Sequence, residues 1–403
     1  MTISESLETT AVPDLGLGTA DEIQARAEAI VPVLRERSTD IENARRLPED
    51  VAELVRGTGV FRMALPKAWG GPELTFAEQT KVIETLSYGD SAAGWCAMIG
   101  MDTWIYAGYL EEPAARKMLA NPDAITAGMI FPVGRAERVP GGYRVTGRWP
   151  FGSGVTHSDW LVGGCLVHQD GKPEQGPNGE PTHWRVMMAR TEEFEILDTW
   201  YTTGLTGSGS RDYQVTDLFV PEEHSFSFTR PRSSGPLSEP DAILGNVPGV
   251  PLGVARAALD HVRELAAGRT DKGTGQAWKD TYRVQTVIGE AEMALSAARF
   301  AVYGSLERLW ECYATGTPLT PEERVASALA RVNAFRTART VVGRLSDLVG
   351  ASSIYRTSPL DRWVRDTHTM CQHILAQEQI VQSAGAYLLG GTPQAPFPLG
   401  ILG

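Results

Sequence analysis

Apolar residues recur at helical spacing in two widely separated parts of the chain, and between them the period shortens to that of strands. From residue 21 to about 120 the pattern is helical. Ala25, Ala27, Ile30, Val31, Val33 and Leu34 form an apolar stripe, and Leu47-Pro-Glu-Asp50 opens a second helix with acids in its first turn. Segments 76–86 and 92–110 supply two more helices, the last ended before Pro113. Packing within a four-helix domain accounts for most of these residues. Between 125 and 221 short β-branched and aromatic runs are separated by Gly, Pro and Asp. They predict strands over 125–131, 142–146, 160–167, 183–190, 194–200 and 213–219, with a Gly/Pro-rich surface loop at 168–181. So many short strands imply a small antiparallel barrel or sandwich. A Pro/Ser-rich linker at 231–240 precedes four long Ala/Leu-rich helices over 250–267, 282–314, 321–349 and 360–389, an antiparallel bundle. The expected organisation is α+β: a tail over 1–20, a helical domain over 21–120, a β-domain over 121–228, a linker over 229–245 and a bundle over 246–403.

Composition narrows the function. A chain of 403 residues with 42% hydrophobic and 21% charged residues can bury a sizeable core. A net charge of -12 lacks the footprint of a nucleic-acid binder and repels anionic membranes. No apolar run is long enough to span a bilayer, and residues 1–20 lack the regions of a secretory signal and read as a flexible tail. Cys96, Cys165, Cys312 and Cys371 form no CxxC pair and read as reduced, buried residues of a cytoplasmic protein. The histidines make no HExxH or Cys-adjacent cluster, so a transition-metal site is not expected. On one continuous helix, His368 and His373 would point roughly 140° apart, which suits two separate tasks better than one metal.

The segment richest in chemistry is Gly147-x-Trp149-x-Phe151-x-Ser153-Gly154-x-x-His157-x-x-Trp160. Glycines beside Ser153 allow close approach to a planar ligand, and the aromatics supply flat walls. Read alone, these are equally the residues of an ordinary sandwich core. The segment resembles the flavin-facing strand of the acyl-CoA dehydrogenase fold, in the branch of two-component, reduced-flavin-dependent monooxygenases. Four further blocks resemble that branch in the expected order: Leu47-Pro-Glu-Asp-Val-x-x-Leu54, Gly57-Thr-Gly-Val-Phe-Arg-Met-Ala-Leu-Pro66 with Trp69-Gly-Gly71, Gly204-Leu-Thr-Gly-Ser-Gly-Ser-Arg-Asp212, and Arg365-Asp-Thr-His-Thr369 with His373.

The resemblance implies roles. Phe151 falls where a flavin-stacking tryptophan stands and Ser153 where a hydroxyl meets the N5/O4 edge, with Trp149 also toward the cofactor. Arg283 falls where an arginine contacts cofactor phosphates, although an exposed helical arginine is common. His157 and Trp104 are expected near the substrate, with loop capping the alternative for His157. His368, or else His373, would be a base activating the substrate, unless each simply satisfies a helix-end carbonyl. Phenol hydroxylases of this branch carry a histidine where this chain has Asp102, so Asp102 either alters substrate activation or caps a helix. The dehydrogenases' catalytic glutamate falls at Ile374, leaving Glu378 as the only local substitute.

The implied activity is that of an oxygenase component. Reduced FAD or FMN would come from a separate NAD(P)H-dependent reductase and react with O2 to C4a-hydroperoxyflavin, hydroxylating a phenol, indole or polyketide-like substrate. The chain has no dinucleotide fingerprint of its own, because a strand and not a helix follows the Gly204–Gly209 run. A homodimer or homotetramer is implied. An FAD-dependent acyl-CoA dehydrogenase with a relocated base, and a non-catalytic flavin-fold binding protein, are the alternatives.

Overall fold

The computed structural model describes residues 16–176 and 182–401; most of the expected tail and the end of the 168–181 loop lie outside the described residues. The first domain holds α1 (Ala20–Ala44), α2 (Glu49–Arg56), α3 (Phe76–Gly89), α4 (Ser91–Gly100), α5 (Thr103–Ala107) and α6 (Glu112–Met118). α1 and α3 begin with reciprocal capping boxes, Thr19 with Glu22 and Thr75 with Glu78, which satisfy otherwise orphaned N–H groups. The inward stripe of α1 is Ile23, Ala27, Leu34 and Ile41; Val33, expected on it, is 40% exposed. The helix expected over 92–110 is broken at Met101 and Asp102, between α4 and α5.

Among the described residues eight strands form one sheet: β1 (Thr126–Val139), β2 (Gly142–Gly152), β3 (Trp160–Gln169), β4 (Lys172–Pro173), β5 (Trp184–Arg190), β6 (Glu195–Leu197), β7 (Arg211–Pro221) and β8 (Ser225–Phe226). The order is β6-β7-β2-β1-β3-β5-β8, with β4 pairing β3. The sheet is mixed and not antiparallel throughout, because β1 and β3 run parallel, from Thr126 opposite Trp160 to Glu137 opposite His168. After the β1–β2 hairpin the chain must cross to the far side of β1, and residues 153–159 make that crossing. The sheet wraps its own core, in which Trp149 is wholly buried, stacks on Tyr213 at 5.5 Å and donates from Nε1 to the Gly164 carbonyl at 2.8 Å. Burying some 200 Å² of indole at about 25 cal/mol/Å² is worth on the order of 5 kcal/mol.

The expected linker is compact, with short 3-10 turns at Pro236–Ser238 and Pro240–Ala242; the Ser238 carbonyl accepts from Tyr109 at 2.7 Å. The bundle holds α7 (Gly249–Gly268), α8 (Tyr282–Thr315), α9 (Pro321–Val349), α10 (Pro359–Met370) and α11 (Glu378–Leu388). The helix expected unbroken over 360–389 is therefore two. His373 takes an extended conformation (φ -62, ψ 142) and its ring caps the turn that follows. Helices of both domains share one core, and α4 touches both the sheet's crossover, through Trp95 to Ser153, and the α10–α11 break, through Trp95 to His373.

Candidate active site

The site starts where β2 ends. Phe151 has φ 61, a left-handed conformation that costs a non-glycine residue about 1 kcal/mol or more, and its ring is 62% exposed. Ser153 N–H donates back to the Phe151 carbonyl at 2.8 Å, and Gly154 N–H donates to the Ser208 carbonyl at 3.1 Å, fastening the turn to the 204–210 loop. The Ser153 Oγ accepts from Trp95 Nε1 at 3.0 Å and lies 2.6 Å from Ser210 Oγ. The other face of the Trp95 contact is His373, edge-on at 5.4 Å. Three segments far apart in sequence thus meet through one indole.

His373 is chemically defined by its surroundings. Its Nδ1 accepts from Leu375 N–H at 3.4 Å. Burial, with the Arg331 charge adding to it, lowers its pKa to about 4. It is neutral at pH 7, and an acceptor at Nδ1 puts the proton on Nε2. The ring therefore offers a donor and not a base.

The Arg-Asp motif of α10 holds this assembly together. Asp366 is buried; Ser91 Oγ donates to its Oδ2 and Leu205 N–H to its Oδ1 at 2.6 Å, and burial raises its pKa to about 6. Arg365 donates to Glu42, Asp361 and the Thr203 carbonyl. A side chain at Gly204 would put its Cβ 2.2 Å from the Arg365 carbonyl oxygen, so only glycine admits this approach.

The remaining expected site residues lie elsewhere. His368, the first choice for a base, is exposed on the outer side of α10, while Asp366, Thr367 and Met370 face inward. The helix break removes the same-face argument for Glu378, which is exposed at the start of α11; Ile374 is 41% exposed. Trp149 belongs to the sheet core and has no surface left to face a ligand. Asp102 is wholly buried beneath Leu244, whose N–H reaches its Oδ2 at 3.2 Å, and burial pushes its carboxyl well above the usual range. Asp102 makes no capping bond to α5, so the capping alternative does not hold either. Trp104 is buried and donates from Nε1 to the Pro122 carbonyl at 3.0 Å. His157 sits beside Gly154 with both ring nitrogens enclosed and unpartnered, as is Thr156 Oγ1. Arg283 is exposed near the start of α8 and has no ion-pair or hydrogen-bond partner among the described residues. Trp95, Ser208, Ser210 and Asp366 carry the geometry; the only sequence signal for the last three was membership in the matching blocks, and Trp95 lay in none of them.

The residues fit a flavin. Phe151 exposes its aromatic ring beside Trp200, whose ring meets it edge-on at 6.4 Å. The Ser153 Oγ retains a lone pair beyond its two contacts, and orphaned polar atoms lie beside it at 156 and 157. Clefts of about 280 Å³ beside Trp363, 550 Å³ beside Arg185 and 570 Å³ beside Tyr355 are lined by neither Ser153 nor His373. In the single chain the aromatic face is open.

Comparison with known proteins bears on the family and the fold. Residues 20–114 match the acyl-CoA dehydrogenase N-terminal domain and residues 248–378 its C-terminal domain. An indole-3-acetate monooxygenase of Pseudomonas putida is 33% identical over 375 residues, covering 91% of this chain and 94% of the relative. The flavin-dependent monooxygenase oxygenase subunit HsaA of Rhodococcus jostii is 26% identical, covering 93% and 98%. Among solved structures, the 3-HSA hydroxylase of a Rhodococcus species superposes with a TM-score of 0.82 at 26% identity, over 92% of this chain and 97% of that one. XiaF of a Streptomyces species, solved with FADH2 and glycerol, superposes with a TM-score of 0.85 at 24% identity, over 94% and 97%. The HsaA relative is named as the oxygenase subunit of a flavin-dependent monooxygenase. With this fold, this site and a relative matched along nearly its whole length, the chain belongs to the flavin-dependent monooxygenases built on the acyl-CoA dehydrogenase scaffold.

Proposed function

We propose that this monooxygenase hydroxylates an electron-rich heteroaromatic of the indole class, with an NAD(P)H-dependent reductase supplying its reduced FAD or FMN. One observation carries the reading: His373, the titratable group brought to Ser153 through Trp95, is a neutral donor and not a base. A phenol gains most when a base takes its proton, whereas an indole ring is nucleophilic without deprotonation. The relatives named for indole-3-acetate point the same way.

Reduced flavin, when bound, supplies the electrons that activate O2. The chain's part is positional and electrostatic. Phe151 would present its exposed ring as a wall to the flavin, and Ser153 Oγ would accept from its N5–H. Trp95 braces both Ser153 and His373. His373 Nε2–H would donate a hydrogen bond to a polar group in the site and orient it. His157, two residues beyond the Thr156 hydroxyl's neighbour Val155, lines the rear of the same turn, and Arg283 serves a phosphate across a subunit boundary. An oligomer is supported by the outer face of α8, where Tyr282, Met293 and Phe300 are 84%, 68% and 79% exposed at helical spacing.

The test supplies reduced FMN or FAD, O2 and either indole-3-acetate or a simple phenol, and reads a one-oxygen mass gain. Product from the indole and little from the phenol is the expected result. Phenol hydroxylation at equal or greater rate refutes the assignment. Light scattering that returns a monomer mass refutes the oligomer.

A further inference from the structure

Behind Ser153 lies a file of hydroxyls with a direction built into it. At one end Trp95 Nε1, which can only donate, points at Ser153 Oγ. At the other end Ser208 Oγ donates to the Leu205 carbonyl, which can only accept, at 2.7 Å. Between them the contacts are Ser153 Oγ to Ser210 Oγ at 2.6 Å and Ser210 Oγ to Ser208 Oγ at 2.7 Å. Each hydroxyl has one proton. Ser208 spends its proton on Leu205, so Ser210 must donate to Ser208, and Ser153 must donate to Ser210. The proton of Ser153 therefore points inward, and what remains toward the ligand face is a lone pair.

The file is well anchored. Ser153, Ser208 and Ser210 are all buried, at 6%, 1% and 4% exposure, so solvent does not readily replace a missing partner. The Leu205 carbonyl also accepts from Trp200 Nε1 and Ser208 N–H, both at 3.0 Å. Leu205 itself is held in a left-handed conformation (φ 48) by the Asp366 carboxylate on its N–H.

We infer that Ser208 and Ser210 are positioning residues that hold Ser153 as a hydrogen-bond acceptor, so that the site selects reduced over oxidised flavin. This rests on the reading that Ser153 meets flavin N5. Reduced flavin carries a proton on N5 and donates to the waiting lone pair. Oxidised flavin has a lone pair at N5 and meets Ser153 lone pair to lone pair. Accepting oxidised flavin requires all three hydroxyls to turn round and the Ser208–Leu205 bond to be given up. One hydrogen bond is the difference, which corresponds to about a tenfold preference.

The experiment is anaerobic titration of the whole protein with FMN and with FAD, each oxidised and dithionite-reduced, to obtain the ratio of the two dissociation constants. Ser210→Ala frees the Ser153 proton to point outward, and Ser208→Ala lets the file reverse from its far end. Each should lower the oxidised-to-reduced ratio about tenfold, mainly through tighter binding of oxidised flavin. By linkage the loss of preference for the reduced form makes the potential of bound flavin about 30 mV more negative than in the parent. Ser210→Thr, which keeps the hydroxyl, should retain the parent ratio. Circular dichroism and thermal unfolding identify any variant that fails to fold, and the remaining serine variant then decides. Unchanged ratios in folded Ser208→Ala and Ser210→Ala overturn the inference. Ser153→Ala separates the two levels. If it leaves reduced-flavin affinity unchanged, the contact with N5 is refuted and the inference falls with it. If it weakens reduced flavin while the other serines leave the ratio alone, the contact stands and the directed file is refuted.

Discussion

Histidine 157 offers a direct measurement of how the fold treats an ionisable group. Its ring edge retains some surface, yet both nitrogens are enclosed and without partners. Burial lowers its pKa to about 4, helped by Arg56 and Arg46 and opposed by Asp159. In the unfolded chain the value is about 6.5. The folded value is depressed, so the unfolded state binds more protons between these limits, and stability is full above 6.5 and falls as the pH drops toward 4. At pH 5 the unfolded state is favoured by a factor of about 30, or about 2 kcal/mol. His157→Leu has similar bulk, sacrifices no hydrogen bond and cannot titrate. Urea unfolding followed by tryptophan fluorescence at pH 7.5 and pH 5.0 compares the two proteins. The parent should lose about 2 kcal/mol more than the variant between these pH values. His373 and Asp366 titrate in both proteins and cancel in the difference. Equal losses refute the argument and mean that water or a partner reaches the ring.

Asp366 has the opposite sign: its folded pKa of about 6 lies above the unfolded value, so its ionisation penalty is absent below about pH 4 and complete above 6. Asp366→Asn, whose amide can serve Ser91 and whose carbonyl can serve Leu205 N–H, should gain stability relative to the parent as the pH rises from 4 to 7 in urea titrations; Asp366→Ala, which drops both bonds, should be less stable by about 2–3 kcal/mol. His373→Ala should cut oxygen transfer by roughly 10²-fold and release hydrogen peroxide, His373→Gln should recover part of it as a donor, and His368→Ala should stay near the parent, all read by product mass and a peroxide assay. Trp149→Phe should lower stability by about 1–3 kcal/mol, since the Gly164 carbonyl loses its buried donor, while leaving the reduced-flavin dissociation constant unchanged.

Where the sequence could be read, the signal was local. The helices of both domains announce themselves by period and by caps such as Thr19 with Glu22 and Thr320 with Glu323, which lie three residues apart. Strand positions followed from alternation and turn residues, and Ser153 stood out between two glycines inside a matching block. The parallel pairing of β1 and β3 was not legible, because nothing near either strand specifies its neighbour when the connection is a crossover. The break at 371–377 contains neither glycine nor proline, so the apolar period ran through it and gave His368 and His373 a common helix they do not share.

Local chemistry in the sequence thus determined the element types, the α–β–α order and the family to which the chain belongs. Tertiary structure decided which side chains became a site. Trp95 reaches Ser153 across 58 residues and Ser153 reaches Ser210 across 57, contacts whose energy exists only once the domains have packed. Trp104 and Trp149 had the right residue types but were drawn into cores, where burial of the indole and a backbone acceptor stabilise them, and Asp102 was buried with them at a cost to its charged form. A residue's type sets what it can do; its packing sets which atom faces the ligand and which proton it carries there.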